Sequence, residues 1–474
     1  MSGALPVAVV GAGPAGLTAA LTLARAGRRT IVFEAGERVG GIARTETYKG
    51  YRFDIGGHRF FTKVPEVQAL WEEWLGSEFE LVSRLSRIFY DGHFYDYPLR
   101  LPNVVSNLGA LESARIALSY AKARLAPIRP EESFQDWVTN RFGDRLYRAF
   151  FKTYTEKVWG IPCTEIRADW AAQRIRGLSL ARAVRHAIFG GSGTTSLVEA
   201  FHYPRLGPGQ MWERCTELVQ QAGGQVELNA RVEAIHHENG QATSIVVSRN
   251  GQTEGVPVSA VIASMPMPSL VRALAPSLPS AARDAAEGLR FRDFLIVVLI
   301  LNRQHVFPDN WIYVHAPSVR VGRIQNFKNW STALVPDPTR TSLGMEYFCN
   351  ADDPIWSQPD SELIELAGRE LEQVGLGPAS AVEDGCVIRQ PKAYPVYDAE
   401  YRVHVDTLQA ALAQLSNVQT IGRNGMHRYN NQDHSMLTGL LAARNLLGEQ
   451  HDLWTVNTER SYYEEQEVGR RRVS

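Results

Sequence analysis

Gly11, Gly13 and Gly16 stand in the spacing G-x-G-x-x-G, and an acidic residue, Glu34, follows about twenty residues later. Such a set can hold a diphosphate and a ribose. Gly11 permits a tight turn, Gly13 lets backbone approach the anion, and Gly16 lets a helix pack closely on a strand. Pro14 and Ala15 open that helix, whose N-terminal N–H groups face the phosphate. Glu34 supplies the acceptor for a ribose 2′-hydroxyl. The elements needed to position these groups are written around them. Val7–Val10 is a β-branched run, residues 17–26 read as an Ala- and Leu-rich helix stopped by Gly27, and Thr30–Phe33 is a second strand ending at Glu34. Strand, glycine turn, helix, strand and acid together make a βαβ dinucleotide unit rather than a bare glycine turn. From these residues alone the dinucleotide is either NAD or FAD.

The next segments separate the two. Arg38-Val39-Gly40-Gly41-Ile42-Ala43-Arg44 resembles the second glycine motif of the amine oxidase and protoporphyrinogen oxidase group of flavoproteins. The resemblance implies that Gly40 and Gly41 pass the flavin side of the FAD diphosphate and that Arg38 and Arg44 serve its phosphates. Phe53-Asp54-Ile55-Gly56-Gly57-His58 resembles that group's next element, which implies backbone running beside the isoalloxazine ring with His58 over its face. Solvated arginines at a glycine turn, and a histidine satisfied within a turn, are the plainer alternatives. Near the other end, Thr420-Ile421-Gly422-Arg423 reads as a strand entering a turn. Asp433-His434-Ser435-Met436 then opens a closing helix over residues 436–447, capped by Asp433 or Ser435. In the group resembled, that helix aims its positive end at the flavin. Val232 completes the expected cofactor-binding set.

Within the group, residues 142–160 (FGDRLYRAFFKTYTEKVWG) resemble the segment of the UDP-galactopyranose mutase family that lines its sugar-nucleotide site. The resemblance implies that Tyr154, Thr155 and Trp159 face substrate. Gly322-Arg323 resembles a strand bearing an arginine near flavin N5, so Arg323 is the leading catalytic candidate, with His58 beside it. Ala393-Tyr394-Pro395-Val396-Tyr397 and residues 422–429 resemble the segments whose tyrosines grip the substrate diphosphate, which implies that role for Tyr429 and for Tyr394 or Tyr397. Arg174 joins them if one residue is inserted after Trp159. His427 stands where the family usually has a tyrosine, and Gln325 and Asn326 replace its usual acid after the N5-side arginine. Aromatic residues at helical spacing, such as Phe150, Tyr154 and Trp159, also suit a plain core.

Two activities follow from the resemblance. The first is ring isomerisation of a nucleotide-activated sugar through N5 of reduced flavin. The second is net oxidation by hydride transfer to flavin, as in amine oxidases, protoporphyrinogen oxidases and desaturases. A flavin-binding module without enzymatic activity is a third reading, disfavoured by large inserted blocks that a sensor does not need. The arginines and lysines interspersed with aromatics after Pro65 favour an anionic substrate, a diphosphate sugar. NAD(P)H could serve as reductant, but no second G-x-G-x-x-G is present for it.

The 474-residue chain is too long for one simple core, and its composition (44% hydrophobic, 21% charged) is ordinary for a globular protein. A formal net charge of −1 gives no general attraction to nucleic acid or anionic lipid. The four cysteines make no CxxC pair, and neither a metal site nor a Ser-His-Asp or Cys-His nucleophile set is evident. The longest unbroken apolar run, residues 294–301, suits a buried strand and is too short to span a bilayer, and the N-terminus lacks a signal-peptide pattern. These features lead to the expectation of a cytoplasmic protein without a membrane span. The expected fold is α/β, a Rossmann-like FAD-binding domain assembled from discontinuous segments (1–64, 191–280 and 406–474). A helical insertion (65–190) and a strand-rich substrate domain (281–405) interrupt it.

Overall fold

The structure, a computed structural model, describes residues 4–99, 101–168, 195–197, 200–458 and 465–467. Val7–Val10 pairs in parallel with Thr30–Phe33 on one side and Ala260–Ala263 on the other. Gln225–Glu227 and Val418–Thr420 extend this to a five-stranded parallel sheet. Its three inner strands are buried throughout, as expected of short apolar runs covered on both faces. On one face lie the helices Pro14–Arg25, Gly209–Gln221 and Gln432–Leu446, with Leu17, Leu21, Trp212 and Met436 in a common core. On the other, Ala8, Val10, Ile31 and Phe33 meet Val232, Ile245 and Leu270. The sheet therefore draws together strands from three distant stretches of chain.

The first helix begins at Pro14, three residues before the Ala- and Leu-rich run, because proline is preorganised for the first helical position. Two glycines let backbones touch. A Cβ on Gly16 would lie 2.0 Å from the Gly11 carbonyl oxygen, and one on Gly439 would lie 2.2 Å from that of Ala15. The closing helix thus rests directly on the first helix.

A seven-stranded sheet forms the second layer, with Phe291–Leu301 flanked by Val382–Pro395 and Thr341–Cys349. It continues through Arg323–Asn326 and Trp311–Val314 to Ser86–Tyr90 and His93–Asp96. The described residues after Pro65 are mostly helical, as expected, but the last two strands of this sheet and Phe79–Ser83 interrupt the helices. Asp91 and Gly92, both at positive φ, make the tight turn of a hairpin, and the hairpin docks on the strand-rich layer. The helix Thr153–Trp159 follows a π-helical turn, Arg148–Lys152, and stops at Gly160 in the left-handed conformation. Among the described residues no helix is long and apolar enough to cross a membrane.

Candidate active site

A cleft of about 430 Å³ runs across the glycine turn, from Glu34, Arg231 and Val232 at one end to His58, Arg423 and Gln432 at the other. Gly11, Gly13, Pro14, Ala15, Gly41, Arg44, Gly422 and Ser435 line it between. Glu34 is locked in place: one carboxylate oxygen accepts from Ala12 N–H at 2.8 Å and the other from Gly36 N–H at 2.8 Å. No side chain caps the helix at Gly13, so its first-turn N–H groups are available to an anion. Gly13 and Gly41 face each other; a Cβ on Gly41 would come within 3.3 Å of the Gly13 Cα. This glycine-walled slot with free N–H donors, an arginine (Arg44) and a fixed acid at the far end matches the donor set that a flavin dinucleotide requires.

Several expected cofactor residues act from behind the cleft wall. Gly16 packs against Gly11, and Gly40, at φ 100°, donates its N–H to Ala12. Arg38 is half-exposed, held by Glu46 (3.2 Å), and is not among the residues that line the cleft. Arg44 binds Glu46 as well (2.6 Å) but also donates to the Gly41 carbonyl and to Gln390, which keeps it at the cleft. The closing helix spans Gln432–Leu446 and is capped by Asn431 with His434 in a reciprocal capping box, not by Asp433 or Ser435. Asp433 is buried and accepts from Thr62, and the Met436 sulfur accepts from the Trp71 indole. These contacts lock the end of the helix that faces the cleft.

A smaller cavity of about 80 Å³ opens from the same place and shares His58, Arg423 and Gln432 with the cleft. Gly56, Gly57, Arg59, Arg323, Tyr394 and Tyr429 are also among its lining residues. Arg323 binds Glu346 at 2.5 Å; Glu346 is 0% exposed and also accepts from the Gln325 amide. Burial works against both charges and pushes the Glu346 carboxyl up. Two donors on its oxygens nevertheless define an ion pair, and Glu346 holds Arg323 firmly cationic. Arg423 differs: it donates to the Asn430 carbonyl, and no carboxylate pairs with it among the described residues. Its guanidinium lies 4.6 Å from the Tyr429 ring, which stacks on Tyr394 at 5.7 Å. Burial raises the Tyr394 phenol, and burial with the charges of Arg423 and Arg323 lowers His58 to about 3, so both groups are neutral at physiological pH.

The remaining expected substrate residues form the shell behind this cavity. Trp159 packs edge-on against Tyr394 and Tyr429, and the Tyr397 hydroxyl accepts from Tyr429 N–H at 2.5 Å. Tyr154 contacts Tyr313 and stacks on His315, and Thr155 is buried. His427 is buried under Phe291 with its ring on the Val396 carbonyl, away from the cavity wall. Arg174 lies outside the described residues. Sequence reasoning missed Asn431 and Gln432, which line both spaces, and Lys392, Gln390 and Arg231 in the cleft. It also missed Glu346, which only the strand register Arg323↔Glu346 reveals.

Residues 14–447 match the sequence profile of the flavin-containing amine oxidoreductases. Coproporphyrinogen III oxidase of Mycobacterium bovis is 26% identical over 438 residues, covering 85% of this chain and 90% of that protein. Chloroplast 15-cis-phytoene desaturase of Arabidopsis thaliana is 24% identical over 78% of this chain and 66% of its own length. Among solved structures, reduced UDP-galactopyranose mutase superposes with a TM-score of 0.84 at 21% identity, over 97% of this chain and all of the mutase. A putative protoporphyrinogen oxidase from Exiguobacterium sp. 255-15 gives 0.73 at 18% identity, over 95% and 100%. With the dinucleotide cleft, the profile match establishes that the chain belongs to the flavin-containing amine oxidoreductase family and is an FAD-dependent enzyme of that superfamily.

Proposed function

We propose that the enzyme acts on a nucleotide-activated sugar, as a ring isomerase of the UDP-galactopyranose mutase type with FAD in the reduced state. The observation that carries this reading is Arg423, a cation without a carboxylate partner among the described residues, set against the stacked tyrosines of a cavity that joins the dinucleotide cleft. A guanidinium and neutral phenols suit a diphosphate better than a hydrocarbon or an amine. The likeness in fold to the mutase agrees with it.

When bound, reduced FAD supplies an electron-rich ring that can act on a substrate carbon. The chain's residues provide position and charge. Arg423, Tyr394 and Tyr429 hold the diphosphate. Arg323, fixed by Glu346, presents a permanent positive charge to the developing anion. His58 stays neutral, so it neither repels the two arginines nor takes up a proton. Tyr154, Trp159 and Tyr397 set the ring positions from behind. NAD(P)H is the proposed reductant.

The test is incubation of the purified enzyme with UDP-sugars after reduction by dithionite, beside an oxidised control. Isomer formed only in the reduced state and without stoichiometric oxidant supports the reading. Turnover that consumes oxygen and no isomer overturns it. The second outcome would favour hydride removal from an anionic substrate, the alternative suggested by the likeness to coproporphyrinogen III oxidase along nearly all of that protein.

A further inference from the structure

The loop between the strands Trp311–Val314 and Arg323–Asn326 has no regular structure, yet it ends at the arginine of the small cavity. Two side chains, Lys157 and Glu370, take up its backbone. The Lys157 ammonium donates to the carbonyls of Val314 (3.2 Å), Ala316 (2.7 Å) and Val321 (3.0 Å). The Glu370 carboxylate accepts from the N–H groups of Arg320 (2.6 Å) and Val321 (2.9 Å) and from the Tyr347 hydroxyl (3.1 Å). Val321 is therefore held at its carbonyl by a cation and at its N–H by an anion, two residues before Arg323. Gly322 between them has no room for a side chain: a Cβ would lie 2.7 Å from the Phe348 ring.

Lys157 sits one turn after Tyr154 on the helix Thr153–Trp159. His315, between two of the carbonyls that Lys157 binds, stacks on the Tyr154 ring at 4.9 Å and 13°. The helix that carries Tyr154 and Trp159 is thus latched to the loop that leads into Arg323. Buried charges persist when hydrogen bonds satisfy them, and an irregular loop supplies spare carbonyl and N–H groups for that purpose.

We infer that Lys157 and Glu370 are positioning residues: a clamp of opposite charges across the loop that fixes Arg323 and Tyr154 relative to each other. The inference concerns the enzyme's own architecture and does not depend on which substrate it takes. Because burial lowers Lys157 to about 8 while Glu370 opposes the fall, the clamp releases as pH rises through that value. The other ionisable groups near Lys157 are His315, Arg292, Glu346, Lys152 and Glu156. His315 is held neutral by burial and by Lys157, at about 3. Arg292 donates to the Lys157 and Val158 carbonyls, Glu346 is engaged by Arg323, Glu156 accepts from the Cys163 N–H at 3.2 Å, and Lys152 is exposed.

The test compares FAD-loaded wild type with Lys157→Met, Lys157→Arg and Glu370→Gln. In wild type, tryptophan fluorescence and the flavin visible band should both change with a midpoint near pH 8. Lys157→Met should lose that transition, and Glu370→Gln should move it to lower pH. Lys157→Arg, which does not titrate there, should lose the transition while keeping the clamp. Hydrogen exchange across residues 314–326 and 153–159 should rise together by about tenfold or more in Lys157→Met and stay near wild type in Lys157→Arg. A transition that survives in Lys157→Met, or unchanged exchange in the loop, overturns the inference. If Lys157→Met does not fold, the Glu370→Gln shift and the Lys157→Arg pair decide alone.

Discussion

Glu346→Leu isolates the strongest electrostatic commitment in the site. Arg323 is 17% exposed and Glu346 is wholly buried, so removal of the carboxylate leaves a guanidinium in the interior without its counter-charge. Breaking such a pair from one side costs about 3–5 kcal/mol. The lower end applies here, because Arg323 borders a cavity and can regain some water. The Gln325 amide, which donates to Glu346, also loses its acceptor, adding ~1 kcal/mol. The expected loss is therefore about 4 kcal/mol. Arg323→Met combined with Glu346→Leu removes both charges, and most of the loss should return, leaving ~1–2 kcal/mol for the amide and imperfect packing. Urea unfolding of each protein at saturating FAD, followed by tryptophan and flavin fluorescence, measures the cycle; fixed FAD matters because bound ligand adds its own stabilisation. A single variant within about 1 kcal/mol of wild type would refute the reasoning, as would a double variant at least as unstable as the sum of the singles.

Gly439→Ala should weaken FAD binding by at least about tenfold although it lies outside every glycine motif, because its methyl would push the closing helix off Ala15; equilibrium dialysis with FAD checks it. Asp54, which accepts from Tyr203 at 2.6 Å, is raised well above the usual carboxylate range by burial. Its stabilising contribution is full below that range and lost as pH rises through the folded value, so the stability of Asp54→Asn relative to wild type should grow with pH above about 4; a difference independent of pH would contradict this. Burial holds His58, His315 and His427 at about 3, 3 and 4. Stability from these neutral rings is complete above the unfolded value and falls as pH drops below about 6.5, so unfolding near pH 5 should approach an uptake of three protons, a slope of roughly 4 kcal/mol per pH unit, read from chemical unfolding at a series of pH values.

The dinucleotide unit was legible because its signals are local. Gly11, Gly13, Gly16 and Glu34 act within one strand–helix–strand, and each glycine answers to a contact set by backbone geometry. The resemblance to flavin-containing amine oxidoreductases proved correct, and the Rossmann-like α/β fold with it. What escaped notice depends on residues far apart in the chain. Glu346 meets Arg323 through strand register, and Gly439 matters only because its helix returns to the first one. The strands Ser86–Tyr90 and His93–Asp96 were hidden by aromatic residues whose spacing also suits a helix, although Asp91-Gly92 carried a hairpin signal. Asn431 took the cap from Asp433 and Ser435 because the helix starts four residues earlier than its apolar run.

Reconstitution gives the most direct check on FAD lying across the glycine turn with Glu34 at its ribose end. Apoprotein titrated with FAD should take up one equivalent and gain the flavin visible band, and Glu34→Ala should bind it more weakly by about 1.5–3 kcal/mol, the worth of a hydrogen bond to a charged group. Folded protein that stays colourless at saturating FAD, or Glu34→Ala that binds as wild type does, would contradict it.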